Sequence, residues 1–189
     1  GKQIVITRTD ETFANQITVD GNGSETIRGA LTYKLCSQYE SITLVSDGTN
    51  WQMLNQVIPS VPVSYTPTFT GFGTPSGVVC YRWREKNKLC VRAYFVPGTT
   101  TATIAQVSFP SGLTSSSAIA TIELAGTAII NVTSNGYSSV LREPSVTYFT
   151  FGRDTGSASA YQKYNGSSWV ASGNTVVFEA SVPISGWEG

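Results

Sequence analysis

The sequence predicts an all-β protein, and three features of its composition and patterning indicate this. Threonine, serine, glycine, valine and aromatic residues are plentiful, whereas only 13% of the residues are charged, which is typical of β-structure with a hydroxyl-rich surface. Apolar and polar residues alternate over short stretches that Gly, Pro and Ser clusters separate. No stretch has helical periodicity. We therefore expect short strands arranged as a β-sandwich or jelly roll.

The first region, residues 1–56, is predicted to be a small β module organised around residues 39–52. Within that stretch Ile42 and Leu44 have strand character, residues 46–48 form a turn, and Trp51 follows the turn directly. The module has few large apolar residues, so it buries little surface alone, and we expect self-association about a symmetry axis to stabilise it. Strands are predicted over residues 2–9, 13–19, 27–36 and 39–45.

A glycine-rich connection at residues 20–25 carries oxygen side chains. Asp20, Asn22 and Glu25 together are typical ligands of a hard cation on a bent backbone. The spacing does not match an EF-hand, and Asn-Gly and Asp-Gly pairs are common in hairpin turns. We favour a plain turn, and predict no metal and no cofactor.

Residues 57–67 are predicted to be a semi-rigid connector. Three prolines in this span remove backbone donors and favour extended conformations. The intervening residues Val57, Ile58, Val61 and Val63 are apolar, which predicts that the connector lies against protein.

The last region, residues 68–189, is predicted to be a β-sandwich domain that begins with a hairpin of residues 78–84 and 89–95. Further strands are predicted over residues 101–109, 118–124, 127–133, 146–151 and 175–184. The alternation in the hairpin predicts a buried set consisting of Tyr81, Trp83, Leu89, Val91, Ala93 and Phe95. Charge concentrates at the hairpin tip, where we favour a solvated tip over a contact with anionic polysaccharide; these residues are Arg82, Arg84, Glu85, Lys86 and Lys88.

The three cysteines, Cys36, Cys80 and Cys90, leave two interpretations open. Cys80 and Cys90 lie in the two strands of the hairpin, where a cross-strand disulfide is compatible with the spacing. Alternatively all three are small buried thiols, and we favour this interpretation because cysteine is among the most buried residue types.

Charge and missing residue types exclude several functions. Lys+Arg and Asp+Glu both number 12, without a run of either sign, which argues against nucleic acid or an anionic membrane as the partner. Histidine is absent, which removes imidazole catalysis and most zinc sites. Two paired carboxylates are sufficient to hydrolyse a glycoside without histidine. No recognisable pair is present, so we predict that the chain is not an enzyme.

No apolar run in the sequence has membrane-spanning length, and no secretory leader is seen. Because the sequence starts at Gly1, we expect it to be a piece of a longer polypeptide.

The segment 152–173 combines aromatic, charged and amide side chains with glycine and serine. An aromatic platform beside hydrogen-bonding groups suits sugars, which present apolar ring faces edged with hydroxyls. The alternative is that Tyr161 and Trp169 close the sandwich around a polar turn, and we favour this alternative because exposed aromatic residues cannot be told from buried ones by sequence. The candidate ligand-binding residues are Arg153, Asp154, Tyr161, Lys163, Tyr164, Asn165 and Trp169.

Three stretches together resemble the distal end of phage tail fibres and of phage-derived surface-fibre adhesins, such as those of predatory bacteria. Residues 24–53, which include SETIRGALTYKL and YESITLVSDGTNWQM, resemble a stem or collar module. Residues 65–95, YTPTFTGFGTPSGVVCYRWREKNKLCVRAYF, and 176–189, VVFEASVPISGWEG, resemble the receptor-binding tip that follows such a stem.

The resemblance implies a homotrimer that meets along a fibre axis, on a virion tail fibre or a bacterial surface. It implies host recognition and cell adhesion through carbohydrate binding, with an envelope glycan or another envelope receptor as partner and no membrane insertion. Tyr39 and Trp51 are then expected to stabilise the stem and the trimer. Two alternatives stay open: a purely structural trimerisation or cap module, and a capsule polysaccharide hydrolase.

Overall fold

The regular secondary structure of the described residues is almost entirely β. The computed structural model describes residues 1–10, 12, 15–119, 122–131, 136–154 and 161–187, and over these residues the one helix is α1 (Gly166–Trp169). The prediction of an all-β fold is confirmed. The jelly-roll arrangement and the trimeric stem stay predictions.

The described strands are mostly short and are joined by turns. In chain order they are β1 (Gln3–Thr7), β2 (Ile17–Asp20), β3 (Thr32–Leu35), β4 (Ser41–Ser46), β5 (Trp51–Val57), β6 (Val63–Ser64), β7 (Phe69–Thr70), β8 (Ser76–Glu85), β9 (Lys88–Val96), β10 (Gln106–Ser108), β11 (Glu123–Asn131), β12 (Gly136–Arg142), β13 (Tyr148–Asp154), β14 (Tyr161–Lys163) and β15 (Thr175–Pro183). Strands β5, β6, β7, β12 and β14 were not predicted, because their residues do not alternate clearly between apolar and polar or, in the two-residue β6 and β7, are too few to form a pattern.

The chain divides into two compact units. Unit 1 comprises Gly1–Val61, Arg84–Asn87 and the residues from Gly186 onward, and unit 2 comprises Pro62–Trp83 and Lys88–Ser185. The predicted connector, residues 57–67, is therefore shared between the units. The two short additions to unit 1 come from segments remote in sequence, which composition does not reveal.

Unit 1 contains an antiparallel three-stranded sheet, in the order β1-β4-β5, and the pair β2-β3. One face of the three-stranded sheet is buried, because alternate residues of β4 point to the same side. Its core consists of Ile27, Tyr33, Leu35, Ile42 and Leu44. Each such burial stabilises the fold by about 1.5–3 kcal/mol.

The opposite face of that sheet is open. Val5 pairs with Thr43, and Thr43 pairs with Asn55, so that these three residues form a row on this face. Leu54 is the extra residue where the register of β4 and β5 shifts between Thr43 and Leu44, a feature that defines a β-bulge. Both Val5 and Leu54 are exposed.

The hairpin-tip arginine Arg84 is buried in unit 1, so the prediction that the whole tip is solvated is wrong for this residue. Its guanidinium donates from Nη1 to Oε2 of the buried Glu40, at 2.6 Å. A buried arginine is tolerated because this carboxylate neutralises it. No local pattern indicates this partner, since the two residues are 44 positions apart in the sequence.

Unit 2 is built on a curled sheet of ten strands in the order β6-β8-β9-β15-β11-β12-β13-β10-β7, with β14 added beside β13. The described pairings within it are antiparallel. The core of the unit is aromatic, and its rings meet mainly edge to face, which is a favoured geometry for aromatic pairs. Members of this cluster are Phe69, Phe72, Phe95, Phe109, Phe149, Phe151 and Phe178.

The predicted core of the β8-β9 hairpin is partly wrong. Leu89, Val91, Ala93 and Phe95 are buried as predicted, whereas Tyr81 is exposed and Trp83 is half-buried. Cys80, of the opposite parity in β8, is buried instead. Alternation divides the residues of one strand between two faces. The register in which two strands pair decides which residues of the second strand share the buried face of the first.

The connector also departs from its prediction. Val57, Val61 and Val63 are exposed rather than packed against protein. Val57 belongs to the end of β5 and pairs with Ser41, while Val63 begins the two-residue β6. Backbone pairing, rather than burial of the valines, fixes the two ends of the connector.

Among the described residues, no helix is long and apolar enough to cross a membrane.

Candidate functional site

The structure divides the predicted ligand-binding residues between a β-hairpin and the short helix that follows it. Arg153 and Asp154 end β13, and Tyr161 and Lys163 lie in β14, which pairs with β13. The side chain of Asp154 and residues 155–160, which join the two strands, lie outside the described residues.

Trp169 packs into unit 2. Its ring stacks on Phe151, with centroids 4.4 Å apart and planes 21° apart, and meets the edge of Phe72 at 5.7 Å. Its indole Nε1 donates to Ser138 Oγ at 2.6 Å. The indole therefore uses its ring face and its only donor inside the protein, as the sandwich-closing interpretation expects.

Tyr164 and Asn165 support this arrangement. The Tyr164 ring lies nearly parallel to that of Trp169, with centroids 6.2 Å apart, and its backbone carbonyl accepts from Ala105 N. Asn165 is the N-cap of α1, where a capping box joins it with Ser168. Gly166 is buried, and a Cβ there would stand 1.8 Å from the Gly71 carbonyl oxygen, so this close approach requires glycine.

The two charged side chains of the hairpin have partners within unit 2. Lys163 Nζ donates to Glu143 Oε2 at 2.6 Å, in a half-buried ion pair. The exposed Arg153 donates from Nε to Gln162 Oε1 at 3.0 Å. Such partly solvated contacts contribute about 0–1 kcal/mol each, so both groups are able to exchange these partners for a ligand.

These residues do not form one cluster. Gly152 pairs with Lys163, and Arg153 pairs with Gln162. Because neighbouring residues point to opposite faces of a strand, Tyr161 and Lys163 lie on one face of the sheet. Arg153 lies on the other face, the one that carries Phe151. The predicted site is therefore divided by the sheet itself.

Tyr137 in β12 was not predicted as a candidate residue, although at 76% it has the most exposed large apolar side chain among the described residues. Its strand was not predicted, so its face was not assigned. The sequence around Tyr137, in which Ser138 and Ser139 precede Val140 and Leu141, does not alternate, so no periodic signal marked this strand.

The two expected stem residues differ in burial. Trp51 packs against the core of its own unit 1, and its Nε1 donates to Glu25 Oε2 at 3.0 Å. The same Glu25 oxygen accepts from Asn22 N at 3.2 Å. One of the oxygens typical of a cation site is therefore already used in hydrogen bonds within the protein. Tyr39 is exposed and has a φ of 60°, an uncommon conformation for a bulky residue.

No chemistry-bearing cluster stands out among the described residues. No group of three or more His, Cys, Asp or Glu side chains within them has metal-site geometry. All three cysteines lie in the described part of the chain, and all are buried thiols rather than members of a disulfide. The favoured interpretation of the cysteines is therefore the one observed.

We expect the thiols to react with iodoacetamide at pH 8 much more slowly in the folded protein than in urea. Burial raises the pKa of the Cys36 thiol, and it raises that of Cys80 to about 11. At pH 8 roughly 0.1% of Cys80 is then ionised, against roughly a quarter of an unfolded cysteine. Intact-mass spectrometry over time measures the labelling. Rapid labelling of the folded chain would contradict the described burial.

Comparison with known proteins gives no relative. A scan against protein-family models, a search of curated proteins and a search of solved structures each found no match.

Proposed function

We propose that this chain is the distal stem-plus-tip region of a homotrimeric surface fibre. It adheres, without catalysis, to a glycan of a target cell envelope, from a virion tail fibre or a bacterial surface. One observation carries the proposal: unit 1 buries one face of its three-stranded sheet and leaves apolar side chains exposed on the other. The exposed fractions are 64% for Val5 and 63% for Leu54.

An exposed apolar sheet face of this kind favours association with further copies of the chain. Exposed apolar side chains on one face of a small protein mark an interaction site. Val57, which shares a row with Ser41 and Thr7, adds a third such side chain, on β5, and the polar Ser41 and Thr43 of β4 lie between β5 and Val5. A cyclic homotrimer buries one such surface from each chain around a common axis.

Adhesion by a trimer suits a weak individual site. Three sites on one rigid tip act at high effective concentration, so that modest affinities combine into firm attachment. The chain has equal numbers of acidic and basic residues, which suits a neutral or mixed-charge partner better than a polyanion.

Val5→Lys is expected to convert the trimer into a monomer while the chain stays folded. Val5 is exposed in the single chain, so lysine is tolerated there within about 0.5 kcal/mol, but three lysines around one axis repel one another and lose the apolar contact. Light scattering after size-exclusion chromatography measures the mass. Thr18→Lys, at an exposed position of β2, is the matched control and should leave the trimer intact.

Binding of the wild-type chain to an array of bacterial surface polysaccharides tests the adhesive part of the proposal. A wild-type monomer without binding would contradict the whole proposal. A stable trimer without binding would instead support the purely structural fibre module.

A further inference from the structure

We propose that the outer face of the unit 2 sheet, across β9, β15, β11 and β12, is the surface that holds the glycan, and that its ligand is an oligosaccharide of low net charge. This inference rests on the proposed adhesive function and adds to it the site and the class of ligand.

An apolar row crosses these four strands in register. Tyr94 pairs with Val177, Val177 with Ile129, and Ile129 with Tyr137. Directly paired residues of neighbouring strands point to the same face, so the four side chains lie side by side, with a tyrosine at each end. Tyr94, Ile129 and Tyr137 are exposed, and Val177 is half-buried. We call this set the apolar row.

A polar row runs parallel to the apolar row. Two residues away on the same strands, Arg92 pairs with Glu179, Glu179 with Thr127, and Thr127 with Ser139. The two rows are therefore about 7 Å apart on the same face. Arg92, Glu179 and Thr127 are exposed, and Ser139 is half-buried. The row combines a guanidinium, a carboxylate and two hydroxyls.

The polar row continues toward the predicted site. Ser139 pairs with Gly152, and Gly152 pairs with Lys163. Lys163 and Tyr161, two of the residues expected from the sequence to bind a ligand, therefore belong to the same face of the sheet. Tyr94 and Tyr137 thus share the outer face with Tyr161 and Lys163. Arg153 and Trp169, which were also predicted to bind a ligand, lie on the other face.

The two rows together match the chemistry of sugars. A tyrosine ring offers a flat apolar surface to the ring face of a sugar, and the neighbouring guanidinium, carboxylate and hydroxyl groups offer donors and acceptors to its hydroxyls. Arg92 and Glu179 have opposite charges and lie directly opposite each other on the adjacent strands β9 and β15. The face therefore attracts neither highly charged anions nor highly charged cations. This favours an oligosaccharide with little net charge.

The size of the face argues for a sugar rather than a second copy of the chain. Three strand spacings give the apolar row a length of about 14 Å, and a width of about 7 Å gives it an area of roughly 100 Å². Including neighbouring β8, which carries the exposed Val79 and Tyr81, adds one strand spacing and enlarges that area by about a third. A stable protein interface needs about 800 Å² from each partner.

The test compares Tyr137→Ala and Tyr94→Ala with Tyr39→Ala. Tyr39, in unit 1, is 59% exposed, which lies between the 41% of Tyr94 and the 76% of Tyr137, and this makes it the matched control. The probe is the monovalent neutral oligosaccharide that gives the strongest signal with the wild-type chain on the bacterial polysaccharide array. Titration calorimetry measures its affinity, and thermal unfolding confirms that each variant is folded.

We expect a five- to tenfold weaker affinity for each row variant, as for the loss of one aromatic contact, and no change for Tyr39→Ala. Unchanged affinity in Tyr137→Ala and Tyr94→Ala, while wild type binds, would overturn this inference and leave the adhesive function standing. A fall in oligomer mass in the row variants would also overturn it, in favour of a contact between copies. Absence of binding by wild type would overturn the proposed function itself.

Discussion

Arg84→Met is expected to destabilise unit 1 by about 3–5 kcal/mol, because it leaves a buried carboxylate without its counter-ion. The side chains of Arg84 and Glu40 are only 4% and 0% exposed, and Arg84 Nη1 lies 2.6 Å from Glu40 Oε2. Methionine keeps much of the apolar stem of arginine, so the loss measures the charge rather than the packing. Urea unfolding measures the free energy, and hydrogen exchange assigns the loss to unit 1.

The size of this effect follows from how completely the carboxylate depends on the surrounding donors. Glu40 Oε2 also accepts from the backbone nitrogens of Cys36, at 2.6 Å, and Ser37, at 3.0 Å, while Oε1 accepts from Gln56 Nε2 at 3.1 Å. Arg84 in turn donates from Nε to the Lys86 carbonyl and lies 4.9 Å from the centre of the Trp187 ring. The ion pair thus joins four separate segments of unit 1.

Arg142→Met is the matched control. Arg142 and Glu123 also approach to 2.6 Å, but their side chains are 19% and 37% exposed. Water screens this pair, so its loss should cost at most about 1 kcal/mol. Equal losses in the two variants would contradict the argument from burial. The double variant Arg84→Met with Glu40→Gln should recover part of the stability, because it removes the unpaired charge while the amide oxygen still accepts from Cys36 N and Ser37 N.

The difference between these two pairs shows where sequence reasoning stops. Strand alternation predicted β1, β4, β9 and β15 closely, because apolar burial repeats every second residue. Burial of Arg84 depends on a carboxylate distant in sequence, and no local pattern encodes that contact. An arginine beside Glu85 and Lys86 in a hairpin turn has the same sequence signature whether it is solvated or buried.

The candidate site shows the same limit for aromatic residues. The sequence placed Tyr161, Tyr164 and Trp169 in one loop, which made a single platform reasonable. Whether two of these residues share a face depends on the strand pairing of β13 with β14, and whether a ring is exposed depends on what packs over it. Tyr137, in an unpredicted strand, was therefore overlooked, although it is far more exposed than Trp169.

Trp169→Ala is expected to destabilise unit 2 by about 2–4 kcal/mol. Truncating a large buried aromatic side chain usually costs about 3–5 kcal/mol. The expected loss is smaller here because the indole is only half-buried. The variant removes the stacking on Phe151 and the edge contact with Phe72, and it leaves Ser138 without the indole donor. Urea unfolding again measures the loss.

Trp169→Phe and Tyr137→Ala distinguish a packing role from a binding role. Phenylalanine keeps the stacking and loses the hydrogen bond, so Trp169→Phe should cost about 1–2 kcal/mol, while Tyr137→Ala should stay within about 0.5 kcal/mol of wild type. Glycan affinity should follow the opposite order, with the larger loss in Tyr137→Ala. If Trp169→Ala kept its stability and lost glycan binding, Trp169 would be a ligand contact, and the binding surface would lie on the opposite face of the sheet from Tyr94 and Tyr137.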